Sequence, residues 1–266
     1  MKYAICCLII AINFTTKAQK LPIKDQFAHT FSIVARDTTT GEMAVGVQSH
    51  WFAVGTVVPW GKSGVGVVAT QSFVNQAYGY EGLQLLEKGY SPEKALNRLV
   101  QNDKASAFRQ VAMLNNKGEV AVHTGKKCIE VAQYKIGNNF AVQANMMLND
   151  KVIGSMYNAY LEHNNLALAE RVLATLQAAQ DAGGDIRGKQ SAALMVVGPK
   201  PPQQPWEDKL IDLRVDDHKQ PIKELGRLLK VQRAYEFMNE GDLAMEENNI
   251  AKALEAYSKA EALEPT

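Results

Sequence analysis

Segments with strand-type and helix-type patterns are grouped along this chain, and they rarely alternate with each other. Apolar and polar residues alternate over residues 30–36 and 211–216, which is the period of a half-buried strand. Apolar, β-rich runs also lie at residues 43–48, 54–59 and 64–70. The remaining strand-type runs are residues 111–114, 120–123, 140–144 and 191–197. This grouping predicts an α+β chain with stacked antiparallel sheets in a four-layer helix–sheet–sheet–helix (αββα) arrangement.

Capping residues and apolar stripes predict the helices of the main domain. Ser91, Pro92 and Glu93 supply a capping hydroxyl, a proline at the first helical position and an acid near the positive helix end. Residues 152–161 and 166–182 are amphipathic at the helical period, and the second range stops at a glycine pair. We therefore expect three helices between residues 91 and 182.

The first residues have the order that is typical of a secretory signal peptide. Lys2 precedes an apolar stretch over residues 3–14, and residues 16–18 place small side chains where a signal peptidase reads the chain. The stretch is shorter than the ~20 residues that span a bilayer. We predict a signal peptide over residues 1–18, a spacer over residues 19–28 and no transmembrane segment in the mature chain. Export to the periplasm or the cell exterior follows, with a buried N-terminal strand as the alternative.

The C-terminal part of the chain differs in pattern from the rest. Residues 234–265 are predicted to form two helices with key residues at the spacings of a tetratricopeptide repeat. These residues are Gly241, Ala253, Tyr257, Ala260 and Pro265. One such unit cannot bury its own apolar face, so we expect it to dock on the main domain, to bind a protein partner or to form a homo-oligomer. The chain divides into a main domain over residues 29–218 and a helical extension over residues 219–266.

Charge and motif content exclude several classes of function. Lys and Arg number 29 against 28 Asp and Glu, so the net charge of +1 provides no basic stripe for nucleic acid. The chain has no zinc-ligand spacing, Walker loop, dinucleotide fingerprint or G-x-S-x-G motif, and its five histidines are scattered. We therefore predict no nucleic-acid partner, no metal and no cofactor.

Several short motifs extend over residues 29–266. They are HTFSIVARD at residues 29–37, QSHWFAVG at 48–55, ATQSF at 69–73, HTG at 123–125, QANMM at 143–147 and GGDIRGKQSAA at 183–193, with residues 206–218 and the helical tail in addition. Together these motifs resemble a bacterial and archaeal family of unassigned function in the N-terminal-nucleophile (Ntn) hydrolase superfamily. The resemblance implies an αββα sandwich.

The resemblance also implies a mechanism. In Ntn hydrolases the first residue of the mature chain is a Thr, Ser or Cys nucleophile, and its own α-amino group takes the side-chain proton. An α-amine titrates near ~7.7–8, whereas a Thr hydroxyl is inert without a base. Mapped onto this sequence, the nucleophile is Thr30. Cleavage after Ala18 leaves Thr30 inside the chain, so a second cleavage is required. The alternative interpretation of Thr30 is a β-branched residue that starts a strand.

Further site residues follow from the same resemblance. The predicted catalytic residues are Thr30, Asp37, His50, Asn145 and Ser191, and the predicted substrate-binding residues are Gln71, Asp185 and Arg187. Gln71 and Asn145 either donate to the oxyanion or satisfy buried backbone groups. Asp185 and Arg187 either hold a substrate carboxylate or shape their loop.

This sequence departs from proteasome-type relatives, which use a buried lysine as the cation beside the nucleophile. The strand that should carry it, residues 43–50, contains no Lys or Arg. His50 or Arg36 is the substitute that the sequence offers, and Asp37 is otherwise a turn partner of Arg36.

Two functions follow as predictions. The first is an exported amidohydrolase acting on the amide bonds of a peptide or small-molecule substrate. The alternative is a non-catalytic periplasmic protein that uses the Ntn scaffold to bind a ligand or partner.

Overall fold

Ten strands and six α-helices make up the part of the chain that this computed structural model describes, namely residues 30–128, 132–145, 147, 151–185 and 188–264. The strands are β1 (Thr30–Arg36), β2 (Met43–Ser49), β3 (Pro59–Lys62), β4 (Gly66–Ser72), β5 (Arg109–Asn115), β6 (Val120–Thr124), β7 (Gln133–Gly137), β8 (Phe140–Asn145), β9 (Ser191–Val197) and β10 (Lys209–Val215). The helices are α1 (Ala77–Glu87), α2 (Pro92–Asn102), α3 (Lys151–Glu162), α4 (Leu168–Asp181), α5 (Pro221–Glu246) and α6 (Ile250–Leu263). Within these ranges no helix is both long and apolar enough to cross a bilayer. The predicted signal peptide and spacer lie outside the described residues.

The described strands pair antiparallel and form two sheets. The six-stranded sheet has the order β10-β9-β2-β1-β8-β7, and the four-stranded sheet has the order β3-β4-β5-β6. The β1–β2 hairpin occupies the centre of the larger sheet, because β2 also pairs with β9 and β1 also pairs with β8. The prediction of a mixed α+β chain with antiparallel sheets is confirmed.

Alternate residues along the central strands pack into different apolar cores. Phe31 and Ile33 of β1 lie in a core with buried residues of α3, α4 and α5. Val34, which points to the opposite face of β1, lies in a second core with Val67 of β4 and Ala112 of β5. A third core joins the outer face of the four-stranded sheet to α1 and α2. The period-2 pattern therefore directs side chains toward helices on one face and toward the other sheet on the opposite face.

One predicted strand-type run has a different structure. Within residues 54–59 the chain forms a 3₁₀ turn at Val54–Thr56, and β3 begins only at Pro59. Ala53 precedes the turn with a left-handed φ of 51°. Gly55 packs against Arg214 so closely that a Cβ would lie 2.7 Å from the Arg214 Cγ. This local geometry breaks the extended conformation that the apolar composition favours.

Helix α1 and strand β7 have no counterpart among the predicted elements. Gly79 and Gly82 are buried on α1, so its apolar stripe is interrupted in the sequence. Strand β7 is mostly exposed at the sheet edge and therefore has no apolar face. By contrast, the predicted start of α2 is confirmed, because the Lys94 N–H donates to the Ser91 Oγ at 3.3 Å.

Helix α5 connects the main body of the structure to the C-terminal helix. Its first turns bury Ile222, Leu225 and Leu229 in the core against the six-stranded sheet. Its second half packs on α6, where a Cβ on Gly241 would lie 2.4 Å from the Tyr257 Cε1. The helix thus begins at Pro221, earlier than the predicted residue 234, because its apolar side chains complete the core.

Replacing Gly79 by Ala tests the close packing of α1 on β3. An added Cβ would lie 2.2 Å from the Trp60 ring, so the helix or the ring must shift. We expect the free energy of unfolding to fall by about 1–3 kcal/mol, as over-packing typically costs. Gly154→Ala is the matched control, since this glycine also lies in the first turn of a helix and a Cβ added there would have nothing within 4 Å. That variant should gain about 0.5–1 kcal/mol. Urea unfolding measures both, and an equal gain in the two variants would contradict the packing argument.

Candidate functional site

A cleft with a volume of about 290 Å³ opens at one end of the space between the sheets. It lies where β1 begins and where β2 and β4 end. Its described lining residues are Thr30, Ser49, Trp51, Val54, Val57, Val58, Ser72, Phe73, Val74 and Gln76. None of these side chains is a charged acid or base. Across the described ranges, no three His, Cys, Asp or Glu side chains are close enough to hold a metal ion.

Four polar side chains form a row beside the cleft, on the inner face of the six-stranded sheet. Ser191, Ser49, Thr30 and Asn145 lie on the adjacent strands β9, β2, β1 and β8, and the register places each directly opposite the next. They share the parity of the apolar residues between the sheets, so their side chains point toward the four-stranded sheet. The row therefore brings three hydroxyls and one amide to the same edge of the inter-sheet space.

Gln71 of β4 faces this row from the four-stranded sheet. Its Nε2 donates to the Thr30 carbonyl oxygen at 3.1 Å and to the Gln110 Oε1 at 2.7 Å. Its Oε1 accepts a hydrogen bond from the Ser32 hydroxyl at 2.6 Å. Both N–H groups of the Gln71 amide are thus engaged inside the protein. Gln71 fixes the backbone of Thr30 and has no hydrogen left to donate to a substrate oxyanion.

Asn145 is joined to the same network but keeps unused hydrogen-bonding capacity. Its Nδ2 donates to the Gln110 Oε1 at 3.0 Å, and its Oδ1 has no partner among the described residues. Among the described residues, the second Nδ2 hydrogen of Asn145 has no acceptor. Asn145 pairs directly with Thr30 across β1 and β8. Gln143, in the next row, donates to the Ser32 Oγ at 3.1 Å and completes the buried layer.

The Thr30 side chain is almost fully buried, with 2% of the residue exposed, and a second hydroxyl holds it. Its Oγ1 lies 3.0 Å from the Ser49 Oγ, and either atom can be the donor. A threonine hydroxyl needs an adjacent base to become a nucleophile. No described side chain lining the cleft is such a base. The cleft therefore presents a positioned hydroxyl whose base has to come from elsewhere.

Ser191 shapes one wall of the cleft. Its hydroxyl donates to the Trp51 carbonyl oxygen and accepts the Val54 N–H at 3.1 Å. Ala53, inside this loop, has the left-handed φ that non-glycine residues adopt only at a cost of ~1–3 kcal/mol. These bonds hold Trp51 at the mouth of the cleft. Ser191 is therefore a positioning residue, since its single hydrogen is already donated to the backbone.

An ion pair holds the opposite wall. Ser72 ends β4 with a left-handed φ of 68° and turns the chain into Phe73. Arg109 donates through Nη1 to the Phe73 carbonyl oxygen at 2.8 Å and through Nε to the Asp103 Oδ2 at 2.8 Å. The hydrogen bond from Arg109 lowers the pKa of Asp103 to about 2. The wall is thus tied to the rest of the fold by a mostly buried pair of charges.

Two other predicted residues lie next to this site. The His50 N–H donates to the Asp185 Oδ2 at 3.0 Å, and Asp185 is buried. This bond joins the end of β2 to the loop before β9. Asp185 therefore bonds to the backbone of the cleft-forming segment, whereas its predicted role was to bind substrate and shaping the loop was the alternative. Arg187 lies outside the described residues.

Asp37 and Arg36 do not reach the cleft. They lie at the far end of β1 from Thr30, which is about 20 Å at ~3.3 Å per residue. The Asp37 Oδ1 accepts the N–H groups of Thr39 and Thr40 at 2.7 and 2.8 Å, as a turn residue does. The structure therefore separates Asp37 from the predicted catalytic group, and Arg36 cannot supply the cation beside Thr30.

Four buried polar residues of the site were absent from the predicted set. They are Ser32, Ser49, Gln110 and Gln143. Ser32 and Gln143 sit at inward positions of strands that are otherwise apolar. A polar residue at such a position was a usable signal, because a buried polar group requires a hydrogen-bond partner.

Asp103→Asn tests the ion pair that anchors the Phe73 wall. The folded pKa of about 2 lies below the ordinary 3.8, so the charged pair stabilises the protein above about pH 4 and this contribution is lost as the pH falls toward 2. We expect the variant to lose about 2 kcal/mol at neutral pH. The difference in the free energy of unfolding between the variant and the parent protein should be smaller when urea unfolding is measured at about pH 3. Glu87→Gln, which breaks an exposed pair with Lys62, is the control and should change stability by less than ~1 kcal/mol. If the stability difference between Asp103→Asn and the parent protein does not depend on pH, the charged pair of Asp103 and Arg109 is not what stabilises this wall.

Comparison with known proteins places the chain in a family. The model of a family of unknown function, DUF1028, matches residues 30–225. The crystal structure of protein SPO2555 from Silicibacter pomeroyi, which carries the same family model, is 31% identical with a TM-score of 0.69, and the match covers 76% of this chain and 85% of that one. No protein with a curated description matches. On the family model and this solved relative, the chain belongs to the DUF1028 family of unknown function.

Proposed function

We propose that this chain is an Ntn hydrolase of peptide-like amide bonds, with Thr30 as the nucleophile once the peptide bond before it is cleaved. One observation carries the proposal: the Thr30 hydroxyl lines an uncharged cleft while Gln71 clamps the Thr30 carbonyl oxygen at 3.1 Å. The match to the family model also begins at residue 30. Both observations single out this residue among the hydroxyls of the row.

The chemistry follows from the position of Thr30. The freed α-amino group accepts the proton of Oγ1 while this oxygen attacks the substrate carbonyl carbon. The tetrahedral intermediate collapses, the amine nitrogen of the substrate leaves with the proton, and the acyl group stays on Oγ1 as an ester. A water then gives its proton to the α-amine and attacks the ester. The second tetrahedral intermediate collapses, the acid departs, and the α-ammonium returns the proton to Oγ1, which restores the Thr30 hydroxyl and the free amine.

Asn145 is the residue that we assign to the oxyanion. Its second Nδ2 hydrogen is not engaged within the described residues, and its Cα pairs directly with that of Thr30 across β1 and β8. A pre-positioned amide donor of this kind is worth ~10²–10³ in kcat. Gln71 has a different role, because its two hydrogens already hold Thr30 and Gln110. Gln71 positions the nucleophile.

The two facing sheets with helices on their outer faces support the finer assignment of an αββα Ntn-type sandwich. In that architecture the proposed nucleophile begins a central strand and faces the opposite sheet, as Thr30 does. Shared architecture does not establish a shared reaction. The assignment to hydrolysis therefore depends on direct tests of Thr30 and of the mature N-terminus.

The C-terminal helices support a second part of the proposal, a single tetratricopeptide-like unit. Small buried residues Gly241, Ala253 and Ala260 allow α5 and α6 to approach closely, and the Tyr257 hydroxyl donates to the Asp242 Oδ1 at 2.7 Å. Arg233 of α5 also binds Glu170 of α4 at 2.9 Å. We propose that the unit docks on the main body and that its exposed side serves a partner. Export to the periplasm or the exterior remains our proposal for its location.

Thr30→Ala is the direct test of the nucleophile. Without the hydroxyl, we expect kcat on a chromogenic amide to fall by at least about 10³-fold, as for other residues that act as a catalytic unit. Thr30→Ser should keep part of the activity because it retains a hydroxyl. Thr39→Ala is the control, since this threonine lies in the exposed turn at the far end of β1. Unchanged hydrolysis by Thr30→Ala would end the proposal.

Terminal sequencing and intact mass of the mature protein give a second test. A chain that begins at Thr30 has the free amine that the mechanism requires. In a mature chain that begins near residue 19, the Thr30 nitrogen is still part of a peptide bond and cannot act as the base. Ligand binding without catalysis would then be the better account of the function.

The pH profile of the mature enzyme gives a third test. The described lining of the cleft contains no acid or base, so the α-amine is the base that titrates in the working range. Burial disfavours a charged amine and lowers its pKa. We therefore expect kcat/KM to rise with pH through one apparent pKa at or below ~8. A rise centred well above that value would point to a different base.

A further inference from the structure

We infer that the cleft selects amides whose acyl portion carries a bulky apolar group. This inference rests on the proposed function and names the substrate class for the same site. It starts from the chemical character of the cleft walls, which differs from that of the polar row at their base.

The walls next to Thr30 are aliphatic and aromatic. Four valines line them, with Val54 and Val58 buried and Val57 and Val74 half-buried. Trp51 and Phe73 complete the mouth from opposite sides of the cleft. A pocket of this composition gains free energy by removing apolar surface from water.

The two aromatic residues at the mouth are partly exposed. Trp51 is 50% exposed, and Phe73 is 39% exposed. The Trp51 backbone is held by the bond from Ser191 to its carbonyl oxygen, and the Phe73 ring is held by Phe108, which packs on it edge-to-face with ring centroids 5.5 Å apart. Exposed apolar surface on fixed residues is typical of a binding site, because little conformational freedom is lost when a ligand covers it.

The same walls disfavour charged groups. No described lining residue carries a charge that could pair with an acid or an amine in the substrate. A charged group entering the cleft would lose its hydration without compensation, which is strongly unfavourable in a desolvated site. The cleft therefore discriminates by attraction of apolar groups and by exclusion of ionised ones.

The acyl portion is the part that must fit beside Thr30. After attack, the acyl group is bonded to Oγ1 and stays in the cleft until water releases it, whereas the amine leaves in the first step. The walls around Oγ1 therefore contact the acyl chain during both acylation and hydrolysis of the ester. They can contact the amine portion only during acylation.

A matched series of para-nitroanilides tests the inference on the full chain expressed with its own N-terminal segment. The acyl groups are octanoyl, butanoyl, acetyl and succinyl. The three uncharged groups differ only in length, and butanoyl and succinyl have four carbons each but differ in charge. We expect kcat/KM for the octanoyl substrate to exceed that for the acetyl substrate by at least about tenfold, since each buried methylene in an apolar pocket is worth about tenfold or more. The succinyl substrate should be the poorest. A preference for acetyl or succinyl would overturn the inference.

Two variants and one control assign the preference to the walls. Val74→Asp places a carboxylate in the cleft, and Trp51→Ala removes an aromatic side chain that is 50% exposed at the mouth. Each should reduce the octanoyl-to-acetyl ratio by about tenfold. Phe52→Ala is the control, because Phe52 is 63% exposed beside Trp51 but does not line the cleft, and its ratio should stay within about twofold. Ratios that are unchanged in both wall variants would contradict the inference.

Binding to Thr30→Ala separates this inference from the proposed function. Octanoyl-para-nitroanilide is titrated into Thr30→Ala and into Thr30→Ala with Val74→Asp, and equilibrium dialysis measures the bound fraction. Binding that the second change weakens at least about tenfold supports the apolar cleft even if no amide is hydrolysed, in which case only the proposed reaction fails. Hydrolysis without acyl preference refutes the inference and leaves the reaction standing. Absence of binding by Thr30→Ala refutes the inference as well.

Discussion

Gln71 and Gln110 determine how the two sheets meet at the end where the cleft opens. Away from this end the sheets contact mainly through apolar side chains, whose attraction has no preferred direction. Here the Gln71 Nε2 donates to the Gln110 Oε1 at 2.7 Å. Gln71 also bonds to Thr30, and Gln110 to Asn145, in the six-stranded sheet. These bonds fix the Thr30 carbonyl and the Asn145 amide against the four-stranded sheet, while the pairing of β1 with β8 sets the distance between the two residues. Because a buried amide left unpaired is costly, the network also forces a single arrangement of the two sheets.

Local patterns in the sequence predict most of the sheets but little of the site. The alternation in β1 and the cap at Ser91 are properties of a few consecutive residues, and the structure confirms both. The partnership of Thr30 and Ser49 depends on the register of β1 against β2, which no short segment specifies. Asp37 shows the opposite error. It is near Thr30 in a motif, but the extended strand between them moves it to the other end of the sheet.

Each wall of the cleft combines a residue in the left-handed region with an anchor from a distant part of the chain. Ala53 is flanked by bonds to Ser191, and Ser72 is followed by a bond from Arg109. Neither left-handed position has the glycine that would mark it in the sequence. Their conformations therefore follow from tertiary contacts, which explains why residues 54–59 resemble a strand in isolation. The aromatic mouth depends on the same anchors, since Trp51 and Phe73 are the residues that these bonds hold.

The uncharged character of the polar layer has a consequence for how the protein responds to its surroundings. Amides and hydroxyls neither gain nor lose protons between acidic and alkaline conditions, and salt does not screen them as it screens exposed ion pairs. The alignment of Thr30 with Asn145 should therefore persist across a wide range of acidity and ionic strength. The Phe73 wall is the exception, because the charged pair of Asp103 and Arg109 that holds it weakens as the pH falls toward 2. Acid should therefore loosen this wall of the cleft before it disturbs the polar layer.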